Sequence, residues 1–121
     1  MRLDSTCYVV KTHKMKTFYH ISPIKNRKSI LKRGLIPSAG ERSKRFQQFN
    51  ERIYLLPDLD SVNNLISISM WNTHPDFKNG FDIYEVRLGY QIKYWRDEKY
   101  EHGFYVEEKI EKVKLFKTII K

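Results

Sequence analysis

The stretch TFYHISPIKNRKSILKRGLIPSAGERSKRFQQFNERIYLLP, Thr17 to Pro57, carries an ordered set of signals. A short apolar strand pattern, Phe18-Tyr19-His20-Ile21-Ser22, ends in a histidine and turns into a helix pattern at Ile24 to Arg33. The helix carries Ile24, Ile30 and Leu31 on a partial apolar stripe. Ser22-Pro23 or Asn26 starts it, and Gly34 stops it. Leu35 and Ile36 are expected to return to the core before Pro37 breaks regular structure. A basic loop, Gly40-Glu41-Arg42-Ser43-Lys44-Arg45, leads to a second apolar run at Arg52 to Pro57, read as a buried strand. This order can place an imidazole and a phenol on neighbouring strands beside a basic loop, which suits a flat, phosphate-bearing ligand.

Outward from this stretch, Asp58 or Asp60 caps a second helix. Its apolar positions Leu59, Val62, Leu65, Ile66 and Met70 recur at three and four residues, and it ends near Trp71-Asn72. Beyond the Asn79-Gly80 turn the period changes to two, in Phe81–Leu88, Ile92–Trp95, Phe104–Val106 and Val113–Ile120. Strands with two early helices and no βαβ repetition predict an α+β domain with largely antiparallel sheet. Residues 1–14 read as an N-terminal extension, with Cys7 to Val10 as a short edge strand, and residues 15–121 as one domain.

At 121 residues the chain is long enough for one hydrophobic core. No apolar run approaches the roughly 20 residues of a membrane span, and the N-terminus shows no signal-peptide pattern. One cysteine, Cys7, excludes an internal disulfide and a cysteine metal cluster. It is expected to be a half-buried thiol in a reduced, cytoplasmic protein. The four histidines have no metal-ligand spacing, so no metal is expected. Formal charge is +9; nine basic residues between Lys25 and Arg52, against Glu41 and Glu51, give that segment +7. Such a patch attracts nucleic acid or a nucleotide diphosphate, or is a solvated face.

His20, at a strand end, is placed to hydrogen-bond a ribose hydroxyl, beside strand backbone (Ile21, Ser22) able to pair with an amide; its alternative is a structural histidine. Tyr54 is either core or the stacking wall of a cleft. Arg42 and Ser43 offer donors for phosphate oxygens, and Lys44, Arg45 and Arg52 offer cations for a nucleic acid or other acceptor. Glu107 and Glu108, after Phe104-Tyr105-Val106, are either surface charge or a carboxylate for a developing cation.

Tyr19-His20-Ile21-Ser22, Ile30-Leu31-Lys32-Arg33-Gly34-Leu35-Ile36-Pro37-Ser38, Gly40-Glu41-Arg42-Ser43 and Arg52-Ile53-Tyr54-Leu55 together resemble small bacterial and phage proteins of the ADP-ribosyltransferase-like superfamily. The resemblance runs from about Thr17 to Leu65, and more loosely to Ile120. It implies a split pair of mostly antiparallel sheets with NAD, as substrate, between them. His20 would contact the adenosine-side ribose and Tyr54 would pack against nicotinamide. A third-strand glutamate would steady the ribosyl cation as nicotinamide leaves. That position falls on Phe104, which leaves Glu107 as the candidate carboxylate. The implied activity is transfer of ADP-ribose to a macromolecule, nucleic acid or protein. The alternatives are a non-catalytic basic module of the same fold, binding nucleic acid or an acidic protein, and an RNA 2′-phosphotransferase. A bacterial or phage-infected cytoplasm would be the setting.

Overall fold

The structure, a computed structural model, describes residues 7–11, 14–37, 52–67, 79–97 and 103–120. In chain order these form β1 (Cys7–Val9), β2 (Lys16–Pro23), a 3-10 turn (Ile24–Asn26), α1 (Arg27–Arg33), β3 (Ile53–Leu55), α2 (Leu59–Ile66), β4 (Gly80–Leu88), β5 (Lys93–Arg96), β6 (Phe104–Val106) and β7 (Val113–Ile120). The strands make two sheets, β1-β5-β6-β3 and β2-β4-β7, and every described pairing is antiparallel. Among the described residues the fold is α+β with mostly antiparallel sheet and two helices, as the periodicities predict.

β4 departs from the expected clean alternation, because it is the central strand of its sheet and is covered on both faces. Tyr84, Val86 and Leu88 point into the larger cluster, with Phe18, Leu55, Tyr94 and Val106. Phe81 and Ile83 point the other way, with Ile21, Leu56 and Val62 of α2. The larger cluster lies between the sheets and is aromatic-rich. Phe18, fully buried, meets Tyr94 and Phe104 edge-on at 5.3 and 5.8 Å between ring centroids. Burying one such ring is worth about 2 kcal/mol.

Local chemistry sets the helix ends. The Asp58 side chain accepts from Ser61 N–H at 2.7 Å and opens α2. Gly34, at φ 78°, closes α1 with its N–H on the Ile30 carbonyl, and any Cβ there would collide with the Ile110 carbonyl. Leu35 then bonds reciprocally with Ile110, at 2.8 and 2.9 Å, and is buried. Ile36 does not follow it into the core: it is 53% exposed, because alternation past the Leu35 bridge turns it outward. Described α2 ends at Ile66, and the expected continuation through Met70 to Asn72 lies outside the described residues. β1 is the edge strand of the four-stranded sheet, with Val10 buried behind it, and the Cys7 thiol is exposed rather than half-buried.

Among the described residues one backbone bridge joins the two sheets. Tyr19 and Leu56 exchange both hydrogen bonds at 2.8 Å, and beyond that rung β2 and β3 part.

Candidate functional site

Strand parity fixes what the parting leaves open. Arg87 N–H donates to the Lys112 carbonyl, so odd residues of β4 spend their backbone groups toward β7 and even ones toward β2. The β2 partners of those even residues are Lys16, Phe18, His20 and Ser22. The N–H and C=O of Tyr19 and Ile21 therefore point at β3. Tyr19 finds Leu56. The next rung would pair Ile21 with Tyr54, and it does not form. Instead the Tyr54 carbonyl accepts from His20 Nδ1 at 2.8 Å. Among the described residues, the Ile21 N–H and C=O have no backbone partner. An imidazole has taken the place of a ladder bond, and a donor and acceptor lie side by side at the split.

The same contact sets the state of His20. A carbonyl can only accept, so Nδ1 carries the proton and Nε2 of the neutral ring is an acceptor. Burial lowers the pKa of His20, opposed in part by the bond to the Tyr54 carbonyl, which favours the charged form. The half-buried imidazole is thus held neutral, in one tautomer and one orientation.

His20 and Tyr54 meet through imidazole and backbone, not ring to ring. His20 leaves β2 on the side of Phe18, while Ile53 and Leu55 take the core side of β3 and send the Tyr54 ring the other way. There the phenol lies 6.3 Å from the Tyr105 ring. Tyr105, fully buried, stacks on Trp95 at 5.6 Å and carries the Arg52 guanidinium 4.0 Å from its centroid. Arg52, expected to meet an acceptor, is thus drawn onto an aromatic ladder.

Glu107 and Glu108 lie in an exposed bend after β6, and Phe104 turns inward onto Phe18 and Tyr94. No carboxylate of β6 therefore faces the split. Arg42, Ser43, Lys44 and Arg45 lie outside the described residues. Ser22 is buried and accepts from Asn26 Nδ2 at 3.3 Å.

A polar cluster that the sequence reading missed sits one rung from His20 on the same face. Asp82, fully buried, takes Arg27 Nε at 3.0 Å and Nη2 at 2.8 Å, the Thr118 hydroxyl at 2.7 Å and the Tyr84 hydroxyl at 3.2 Å. These bonds, led by that from Arg27, hold its pKa below the usual carboxylate value against the desolvation that would raise it. Burial, and then the Asp82 charge, pushes the Tyr84 phenol up to about 12. The available signal was a carboxylate, Asp82, sharing the even positions of the strand with Tyr84, Val86 and Leu88.

An open depression of about 290 Å³ lies across the Tyr19–Leu56 rung from the split, lined by Thr17, Tyr19, Pro57, Asp58, Leu59 and Asp60. It holds none of the expected site residues. Among the described residues no group of His, Cys, Asp and Glu could hold a metal ion, and no helix is long and apolar enough to cross a membrane. No family model, curated protein or solved structure matches the chain.

Proposed function

We propose that this chain is an ADP-ribosyltransferase-like protein that binds NAD across the split between its sheets and transfers ADP-ribose to a macromolecule, nucleic acid or protein. The observation that carries the proposal is the open backbone of Ile21 beside a neutral, oriented His20. A primary carboxamide presents one N–H and one C=O in a plane, the complement of what Ile21 offers, so nicotinamide can stand in for the missing rung. Tyr54 is the residue that would have faced Ile21, so its ring borders the position of the pyridine. On the other face, His20 Nε2 accepts from a ribose hydroxyl. Transfer breaks the nicotinamide–ribose bond, the departing ring takes the electron pair, and a lone pair of the acceptor's N–H or O–H group bonds the ribosyl cation as its proton leaves to solvent. The family resemblance and the basic segment of residues 25–52 support the same substrate class.

A second reading is favoured by one observation, the inward turn of Phe104 with Glu107 left in an exposed bend. A protein with that arrangement binds the dinucleotide, or a polyanionic partner, without cleaving it. A nicotinamide-release assay on the purified chain, run alongside NAD titration, decides. Transfer predicts NAD-dependent release that His20→Ala abolishes. Binding without release establishes the non-catalytic module. Absence of NAD binding at millimolar concentration ends both NAD-based proposals.

A further inference from the structure

We infer that Arg27, braced by Asp82 and Thr118, is an anion-binding residue that receives the diphosphate of the dinucleotide. Sequence reasoning gave that role to Arg42 and Ser43. The inference deepens the function proposed above and rests on it for the ligand's identity; the anion site itself rests on the geometry of Arg27.

A guanidinium carries five N–H donors. Arg27 spends Nε–H on Asp82 Oδ2 and its Nη2 donors on Asp82 Oδ1 and Thr118 Oγ1, the last at 3.1 Å. The Thr118 hydroxyl accepts that bond and passes its own proton to Asp82. One edge of the fork is therefore saturated, and both Nη1 donors, at the opposite corner, make no hydrogen bond among the described residues. The side chain is 38% exposed, so this corner reaches solvent, while the braced edge reaches a fully buried carboxylate. A side chain whose rotamer is already fixed loses little entropy on meeting a ligand, and a planar pair of N–H groups matches phosphate oxygens.

Position and charge agree. Asp82 faces Ser22 and Tyr84 faces His20 on successive rungs, so the brace lies about 7 Å along the strand from the imidazole. That is the scale separating a ribose hydroxyl from the phosphate beyond it. As a unit the Asp82–Arg27 pair is neutral. Lys25 and Lys28, exposed and close in sequence to Arg27, add positive charge to the same segment, and no other described carboxylate belongs to the cluster. Tyr84, with its phenol raised to about 12, adds no charge at neutral pH.

The test uses the full chain and three probes: NAD, nicotinamide riboside, which lacks phosphate, and inorganic pyrophosphate. Binding is read by calorimetry and by thermal shift. Two variants are compared with the parent. Arg27→Lys keeps a cation against Asp82 but has a single nitrogen. Arg27→Gln with Asp82→Asn removes both charges together, so no buried charge is stranded, and leaves a shorter neutral amide in place of the guanidinium. Both variants are expected to weaken NAD and pyrophosphate at least about tenfold, the worth of a charge-assisted pair, and to leave nicotinamide riboside within twofold. Equal weakening of NAD and nicotinamide riboside would mean that Arg27 only shapes the corner, and would overturn the inference. Unchanged NAD binding in both variants overturns it too, while leaving the NAD proposal standing. Pyrophosphate binding lost in both variants, in a parent that ignores NAD, would uphold the anion site and refute the dinucleotide. A parent that binds neither probe refutes both.

Discussion

Two ionisable groups lose water on the same face of the three-stranded sheet, one rung apart, and they answer in opposite ways. At the split, His20 finds one backbone carbonyl and, among the described residues, no counter-charge, so it stays neutral with an acceptor nitrogen to spare. At the corner between β4 and α1, Asp82 finds a guanidinium and two hydroxyls, so it stays charged with its oxygens occupied. A fully satisfied buried charge fixes architecture. A half-satisfied neutral ring, beside strand backbone that has no partner among the described residues, leaves hydrogen-bonding capacity open. The two sites are adjacent along the ladder, because Asp82 sits opposite Ser22, the residue that follows Ile21.

The contrast breaks most visibly at the corner. Asp82→Ala is expected to cost on the order of 3 kcal/mol, since it empties a packed site and strands the buried Tyr84 hydroxyl. Chemical denaturation measures it. The charge-neutral pair Asp82→Asn with Arg27→Gln should lose less than half as much, and an equal loss would show that a neutral amide cannot stand in for the ion pair.

At the split the effects are smaller. His20→Ala leaves the Tyr54 carbonyl without its donor and should cost about 1–2 kcal/mol. His20→Gln, whose amide can restore that donor, should recover most of the loss. If the two variants are equally unstable, the imidazole is acting through packing and not through its hydrogen bond.

Acid sharpens the comparison. The folded-state pKa of His20 lies below its ordinary 6.5, so between those values the unfolded chain binds more protons than the native one. The contribution of His20 is complete above pH 6.5 and is lost as pH falls below it, by at most about 1.4 kcal/mol per unit. The pKa of Asp82 is lowered from 3.8, so its contribution persists through that window and fades only at more acid pH. Stability curves from pH 7 to 5 should slope for the parent and flatten for His20→Gln. A slope that survives the substitution would assign it to another group.

The smallest effect is a control. Arg87 pairs with Glu85 at 3.2 Å where β4 runs past the cluster around Phe81 and Ile83 and its odd-numbered side chains reach solvent, and Arg87→Ala should shift stability by less than about 0.5 kcal/mol. A larger loss would mean that ion pairs count here by number rather than by burial.

Fold class was legible in residues 17–57 and in the period-two strands because propensity, turn chemistry and hydrophobic alternation are local properties. Gly34 as a helix stop and Asp58 as a cap follow from neighbours within four residues. Ile36 was misplaced because its direction depends on the Leu35–Ile110 bridge, formed with a residue 75 positions away. That His20 and Tyr54 lie on neighbouring strands could be read from the sequence, but not that imidazole would meet carbonyl while the rings part. That depends on where β2 and β3 separate. The Asp82 brace draws on residues 27, 82, 84 and 118, and Phe104 turns inward because the aromatic core between the sheets claims it. The sequence by itself determined which segments become strands and helices, since each choice balances energies within a few residues. Tertiary structure alone decided which polar groups lose water together, because desolvation and hydrogen-bond partnership are set by neighbours in space.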